Sequence, residues 1–584
     1  MRCILALGLI GMIFCFQIGR FTSSMESEEE STKEQKKSSL FRASSKPKSS
    51  TLSVDQMRAA KMEGKNLIKM LDDYYSVYAK NKDGSSDAIN GQGGAHNMLM
   101  GDGGWFRGWN FDNTDDGSKE NKLIDTMARA IVNSEQKKFI VGLMGSSVAA
   151  GHDNCRYDNL SEQFSRSGYD KLWEALGMTL EVQNSGEGGG CGDSQSNQVW
   201  CLRQNVSPFA DIIWYSWTYF EAGRPKPEQD REMLTRWAQL LPNQPPVHVI
   251  NVGDRCYEKN PDELKLAEQY ENYGYDAFCM RKAFLSGNAL YQDTIDQFFE
   301  GGHVGDNYYR TTRYFNETTG QQDRKDSLGV VLRNWHPGPL GFQIISDALI
   351  YVYTKAMLLA LTQIEEQLLT NNNEEHRWWQ NPRPVVLKDD LPKPLFCDPM
   401  YCHVDEAPTC LNFELPTYGW HGASIAPPDD SLNPYKGITP QNWMPYLLPH
   451  NKAEFMIPKL EQRLFASSEI CHFPDNCGGI RGISSDQEGL LVFKLPKMEI
   501  GTIILCGCCG KEVATPMFLN NRQNLEIRYN DKLLDGKWDL FPEKKCVRVA
   551  RNENSVGSTG HSYLSIKLLP SNREEIIISH VITM

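Results

Sequence analysis

Between Leu123 and Leu369 the chain alternates short apolar runs with longer amphipathic ones, and few folds accept that order. The runs Lys138–Met144, Met178–Gln183, Asp211–Trp217 and Val247–Val252 are brief and rich in β-branched or aromatic residues. Strands covered on both faces read this way. Helical stretches at Leu123–Val132, Leu160–Leu176, Glu228–Leu241 and Leu340–Leu369 separate and close them. Strands that run side by side in one direction need such crossovers. The pattern predicts a three-layer α/β domain with a parallel sheet over residues 137–370.

At 584 residues the chain exceeds what one core organises, since domains usually hold ~100–200 residues. The run Cys3–Gly19, between Arg2 and Arg20, is longer than the ~7–15 residues of a signal-peptide core and reaches the ~17–25 of a spanning helix. Residues 1–20 are therefore expected to be a signal anchor. That would make a single-pass type II membrane protein facing the Golgi or secretory-pathway lumen, or the cell surface. Cleavage near Thr22-Ser23-Ser24 would instead give a secreted chain. Residues 21–53 are Ser, Lys and Glu with few apolar groups, a disordered stem. Residues 54–136 form a lead-in: Met57, Met62, Leu67, Met70, Leu71 and Tyr74 recur at helical spacing, then Gly and Asp dominate. Asp112, Asp116 and Gly117 hint at a calcium loop, but Leu123 stands where the bidentate Glu is needed.

Residues 371–460, with Cys397, Cys402 and Cys410, are expected to be a connector held by disulfides. In residues 461–584 the alternations Leu525/Ile527/Tyr529 and Leu564/Ile566/Leu568 predict a C-terminal all-β sandwich. Of 16 cysteines, all but Cys3 and Cys15 lie outside the apolar run and are even in number, as disulfide pairing in an oxidising compartment requires. Sequons at Asn159, Asn205 and Asn316 point to the same compartment and to a glycoprotein. Cys506, Cys508 and Cys509 lack a second pair at finger-like spacing, so disulfides are favoured over a metal. Trp378, Trp379, Trp420 and Trp443 suit either sugar stacking or burial. A formal charge of -13 argues against a nucleic-acid partner.

The run Lys138–Met144 stops on Gly145-Ser146-Ser147-Val148-Ala149-Ala150-Gly151. A P-loop needs Gly-x4-Gly-Lys and a dinucleotide site needs Gly-x-Gly-x-x-Gly; neither is present, and no cofactor or metal is expected. What remains is a tight turn that lifts a serine to the C-terminal edge of a parallel sheet, where open α/β folds keep their sites. His336, in Asn334-Trp335-His336-Pro337-Gly338-Pro339, stands at the mouth of the long closing helix. The positive end of that helix disfavours imidazolium and keeps the ring a neutral base.

Together these blocks resemble the SGNH (GDSL-like) hydrolase superfamily, with Gly-Asp-Ser-x-x-x-Gly first and Asp-x-x-His-Pro last. The runs GSSVAAGHDN and WHPGPLG look like a divergent, membrane-anchored eukaryotic branch. The resemblance spans Lys138–Leu369 and implies a flavodoxin-like fold, with Ser147 as nucleophile, His336 as base and Gly186 of Asn184-Ser185-Gly186 as an oxyanion-hole N–H. It also implies a serine esterase acting on ester-linked groups, acetyl for example, of an exported or Golgi glycan. Alternatives are an O-acyltransferase of the same fold, or a decayed glycan- or protein-binding module. Two supports depart from the family: Phe220 stands where an oxyanion Asn belongs, and Arg333 where an Asp should orient the imidazole. Losing one oxyanion donor typically costs ~10²–10³ in rate. Asp323, Asp326 or a backbone carbonyl would have to orient His336 instead.

Overall fold

The computed structural model describes residues 52–76, 121–133, 135–146, 148–149, 164–186, 195–217, 227–251, 261–279, 315–316, 321–322, 332–333, 336–337, 339–370, 383–413, 418, 423–427, 429–431, 433–435, 442–447, 480–507, 518, 522–534, 538–540, 546–551, 562–570 and 575–584. All lie in the compact unit Leu52–Met584. The expected anchor, the stem as far as residue 51, Asn159, the Asp112–Gly117 loop, Trp378, Trp379, Trp420, Cys508 and Cys509 fall outside the described residues.

Strands β1 (Lys138–Gly145), β2 (Thr179–Asn184), β3 (Ile212–Ser216), β4 (Val247–Asn251) and β5 (Asp276–Cys279) form one parallel sheet in the order β2-β1-β3-β4-β5. This is the doubly wound order whose topological switch falls between β1 and β3. Four of these strands are the runs expected from sequence. β5 is an addition, four residues long, reached through Gly274, whose φ of 81° and contact with Pro246 leave no room for a Cβ.

Helices α1 (Val54–Ser76), α2 (Lys122–Val132), α3 (Phe164–Ala175) and α7 (Pro339–Thr370) share one core with Phe139, Val141 and Ile212. The opposite face is covered by α4 (Gln195–Trp200), α5 (Pro227–Gln239) and α6 (Pro261–Tyr270), whose core takes in Met144, Ile213 and Tyr215. Within α7 lies Ile345–Leu369, the one stretch among the described residues long and apolar enough to cross a membrane; 72% of its most apolar window is buried in the protein. It is the core helix of the α/β layer rather than an N-terminal anchor.

The β region is built from β6 (Thr409–Asn412), β7 (Ser424–Ile425), β8 (Met444–Leu447), β9 (Ile480–Ser485), β10 (Gly489–Leu495), β11 (Ile503–Cys506), β12 (Leu525–Tyr529), β13 (Lys532–Leu533), β14 (Asp539–Leu540), β15 (Cys546–Ala550), β16 (Ser562–Leu568), β17 (Ile576–Ile578) and β18 (His580–Thr583). Two antiparallel sheets, β6-β18-β11-β15-β14 and β7-β10-β16-β12-β13, enclose a core that includes Phe493, Leu505, Val547 and Ile566; β8-β9-β17 forms a smaller one. The apolar run Ile576–Ile582 contributes to two strands, β17 and β18, because Ser579 turns aside to bond Cys506 O and the chain changes sheets there. Strands β6, β7 and β8 come from the segment read as connector, where prolines and short lengths hide the alternation.

Ile504, Cys506 and Ile582 on the other face of the first sheet pack into the α4–α6 core. Helix α5 is thus covered on all sides although its sequence, PEQDREMLTRWAQ, is polar. Three of its charged groups have close partners, whereas Gln239 Oε1 is buried with none among the described residues. Glu232 accepts from the N–H groups of Leu395, Phe396 and Cys397 and from Tyr270 Oη, while Arg231 pairs with Glu263. Arg236 donates to Cys402 O at 2.7 Å and Tyr270 Oη at 2.9 Å. Partners of this kind for Arg231, Glu232 and Arg236 are what make a buried polar helix tolerable. Disulfides Cys397–Cys402, Cys201–Cys410 and Cys506–Cys546 staple the same region, consistent with the expected disulfide use.

Candidate active site

The sheet carries β1 to the switch point, and the chain turns as soon as β1 loses its neighbours. Gly145 is in register with Ser216, and Ser146 N donates to Ser216 O at 3.1 Å. A Cβ on Gly145 would lie 2.6 Å from Ala149 Cβ and 2.7 Å from Ser216 O, so the turn accepts only glycine there. Ser146 is fully buried, and among the described residues its hydroxyl reaches Ser216 O at 3.5 Å. Ser147 itself lies outside the described residues, between Ser146 and the buried Val148 and Ala149. Ser216 Oγ is buried with no hydrogen-bond partner among the described residues. Alternation along β3 places it on the α7 side, because Ile212 and Trp214 pack there whereas Tyr215 and Trp217 pack on the other face.

Gly186 follows β2 at the same edge. Its N–H donates to Asn184 Oδ1 at 2.7 Å, and Asn184 Nδ2 donates to Ala149 O at 2.7 Å, so one side chain ties the Gly186 segment to the serine turn. Tyr418 reaches in from beyond β6 and bonds the Asn184 backbone. A second amide, Gln198 of α4, is the keystone. Its Oε1 accepts from Gly145 N at 3.0 Å and Trp217 Nε1 at 2.8 Å; its Nε2 donates to Ser185 O at 3.0 Å. Asn205 Nδ2 in turn donates to Gln198 O at 3.2 Å, and Ser185 Oγ to Asn205 O at 2.6 Å. Asn205 is therefore buried and committed, and a glycan on that sequon is incompatible with this packing.

His336 enters through its backbone. Residues His336–Pro337 pair antiparallel with Leu332–Arg333, setting Arg333 directly across from His336. The course of α7 follows from its neighbours. Gln56, near the start of α1, lies against Gly177 at the entrance to β2, so α1 rises from the N-terminal edge. Higher on α1, Lys61 pairs with Glu365 and Gly64 packs under Leu358. Going up α1 is thus going back along α7, and the start of α7 belongs to the C-terminal edge. From Tyr353, which bonds Trp214 and His248 at mid-sheet, α7 extends ~21 Å back to Pro339, while β3 has only ~7 Å left to Ser216. The first turns of α7 therefore stand beyond the edge that carries Ser146. Phe220, Asp323 and Asp326 lie outside the described residues.

Titratable groups of the sheet sit elsewhere. At the N-terminal edge Asp211 accepts from Ile140 N at 2.8 Å, Gln136 Nε2 at 3.0 Å and Asn243 Nδ2 at 3.2 Å. Burial raises its carboxyl to about 7, against the pull of those donors and of Arg383. Burial also lowers His248 to about 3, and its Nδ1 is hydrogen-bonded at 2.7 Å to Tyr353 Oη, which accepts from Trp214 Nε1. Among the described residues no cluster of three or more His, Cys, Asp or Glu could hold a metal ion.

No protein-family model and no curated protein sequence matches this chain. Among solved structures, a two-domain esterase active on acetylated mannans is similar over 79% of this chain and 95% of its own, with 12% identity and a TM-score of 0.37. The same esterase co-crystallised with mannopentaose aligns over 79% and 94%, again with 12% identity and a TM-score of 0.37. A tail fibre protein of an E. coli phage aligns over 80% of this chain and 48% of its own, with 9% identity and a TM-score of 0.20.

Proposed function

We propose that the chain is an SGNH-type serine esterase that removes ester-linked groups, acetyl among them, from a glycan in the secretory pathway or outside the cell. The observation that carries this reading is the end of β1: a glycine-serine turn delivered at the β1/β3 switch point, with the Gly186 segment tied to it through Asn184. The direction of α7, which brings the chain after His336 in from the same edge, supports His336 as the base.

In this mechanism His336 takes the Ser147 proton as the serine oxygen attacks the ester carbonyl carbon. The carbonyl electron pair moves onto oxygen, and the N–H groups of Ser147 and Gly186 hold the oxyanion. Gly186 N–H must then share or leave Asn184 Oδ1, an exchange of one neutral hydrogen bond worth about 1 kcal/mol. Collapse breaks the bond from carbon to the sugar oxygen, and His336 returns its proton to that oxygen. Water, deprotonated by the same ring, attacks the acyl carbon; the carbon–Oγ bond breaks, the ring returns its proton to Ser147 Oγ, and the acid leaves. A sugar hydroxyl in place of water would make the same site an O-acyltransferase.

The test is acetate release from an acetylated polysaccharide by the full chain, compared with Ser147→Ala and His336→Ala. Release should fall by ~10⁴ or more in either variant. Release that survives Ser147→Ala contradicts the mechanism. A chain that binds the polysaccharide but releases nothing in any form is a binding module instead.

A further inference from the structure

We propose that Gln198 is a positioning residue that sets the distance between the serine turn and the Gly186 segment; the proposal rests on the reading of Ser147 as nucleophile. β1 and β2 are joined directly as far as Leu143 and Asn184, with Ser185 N donating to Leu143 O at 2.8 Å as the last rung. Beyond it the strands part, because β1 must turn towards Ser147 while β2 runs on to Gly186. Gly145 N and Ser185 O, which would otherwise face each other unpaired across the gap, are bridged by one carboxamide. The same Oε1 also takes Trp217 Nε1, the residue that follows β3.

Three strand ends are thus locked by a single side chain that is only 1% exposed. β1 and β3 stay paired through Gly145 and Ser216, but β2 has already parted from β1, so no backbone ladder joins all three ends. A carboxamide is the group that fits: its oxygen accepts two N–H donors while its nitrogen serves an acceptor. Neutrality matters as well, because a buried charge beside the turn would alter the basicity of any imidazole brought to it. α4 is held in turn from behind, since Cys201 at its end is bonded to Cys410.

The consequence is geometric. Without Gln198, Gly145 N and Ser185 O lose their partners, and the serine turn can drift from Gly186. Displacements of the order of ~1 Å cost about 10²-fold in rate. A glutamic acid here would work only in its protonated form, which can donate to Ser185 O; the carboxylate cannot.

The test uses the full chain and two variants, Gln198→Leu and Gln198→Glu, with two readouts. One is amide hydrogen exchange at Gly145 against β4 and β5. The other is covalent labelling of Ser147 by a fluorophosphonate, resolved into probe affinity and maximal rate. In Gln198→Leu, exchange at Gly145 should rise ~10-fold or more with β4 and β5 unchanged, and the maximal labelling rate should fall ~10–100-fold with probe affinity nearly constant. In Gln198→Glu both should move back towards wild type as pH falls, taken as ratios to wild type at each pH. Unchanged exchange at Gly145, exchange that rises equally in every strand, or labelling at the wild-type rate overturns the positioning role. A wild-type chain that never labels overturns the Ser147 reading and the catalytic consequence with it, while the exchange arm still decides whether Gln198 locks the strand ends.

Discussion

The two edges of the parallel sheet are closed by different chemistry. At the N-terminal edge Asp211 gathers donors from β1, from Gln136 and from Asn243, while Arg383 ties Asp125, Thr126 and the Asn243 carbonyl together. At the C-terminal edge the closing groups are the neutral amides Gln198, Asn184 and Asn205. A charged latch is stable but titrates; an amide latch keeps its geometry while a nearby imidazole changes state. The difference separates an edge that holds the fold from an edge suited to chemistry.

The amide-latched edge is most vulnerable through the disulfide that holds α4. Replacing both Cys201 and Cys410 by Ser frees α4 from a closure between residues 209 apart, and should cost about 3–5 kcal/mol in denaturant unfolding while also slowing Ser147 labelling. Asp211→Ala should come next. It strands Ile140 N, Gln136 and Asn243 and should cost about 2–3 kcal/mol, yet leave labelling within about twofold of wild type well below the melting temperature, because it touches only the N-terminal edge.

A pH series sharpens the same contrast. Because the Asp211 carboxyl is raised in the folded chain to about 7, it favours the fold below the ordinary carboxylate range, and that contribution is lost as pH climbs from about 4 towards 7. Asp211→Asn should remove this slope from the stability profile. His248 has the opposite sign: held neutral by burial, it favours the fold above its ordinary range and loses that contribution as pH falls towards 3. The smallest effect should be that of Tyr353→Phe, which strips one hydroxyl from Trp214 and His248 at mid-sheet and should cost about 1–2 kcal/mol in thermal unfolding with no change in labelling.

Four parallel strands, the serine turn and the long closing helix were legible because burial on both faces leaves uninterrupted apolar runs, and because glycine marks the turn. β5 was not, since four residues, two of them Asp276 and Cys279, carry no period. The polar α5 would be assigned to the surface by its composition; only the partners supplied by Leu395–Cys397, Tyr270 and Cys402 explain its burial. Gln198 gave no signal either. In QSNQVW it is one amide among several, and its role exists only where three strand ends meet. Arg333, three residues before His336, was visible in sequence, and the structure adds that the two residues pair across a short antiparallel hairpin.

The most direct measurement is the site of covalent modification. Treated with a fluorophosphonate and digested, the full chain should carry the adduct on the peptide that contains Ser147. The adduct should vanish in Ser147→Ala and form at least ~10³-fold more slowly in His336→Ala. An adduct that persists in Ser147→Ala, or that maps to another serine, would contradict the account.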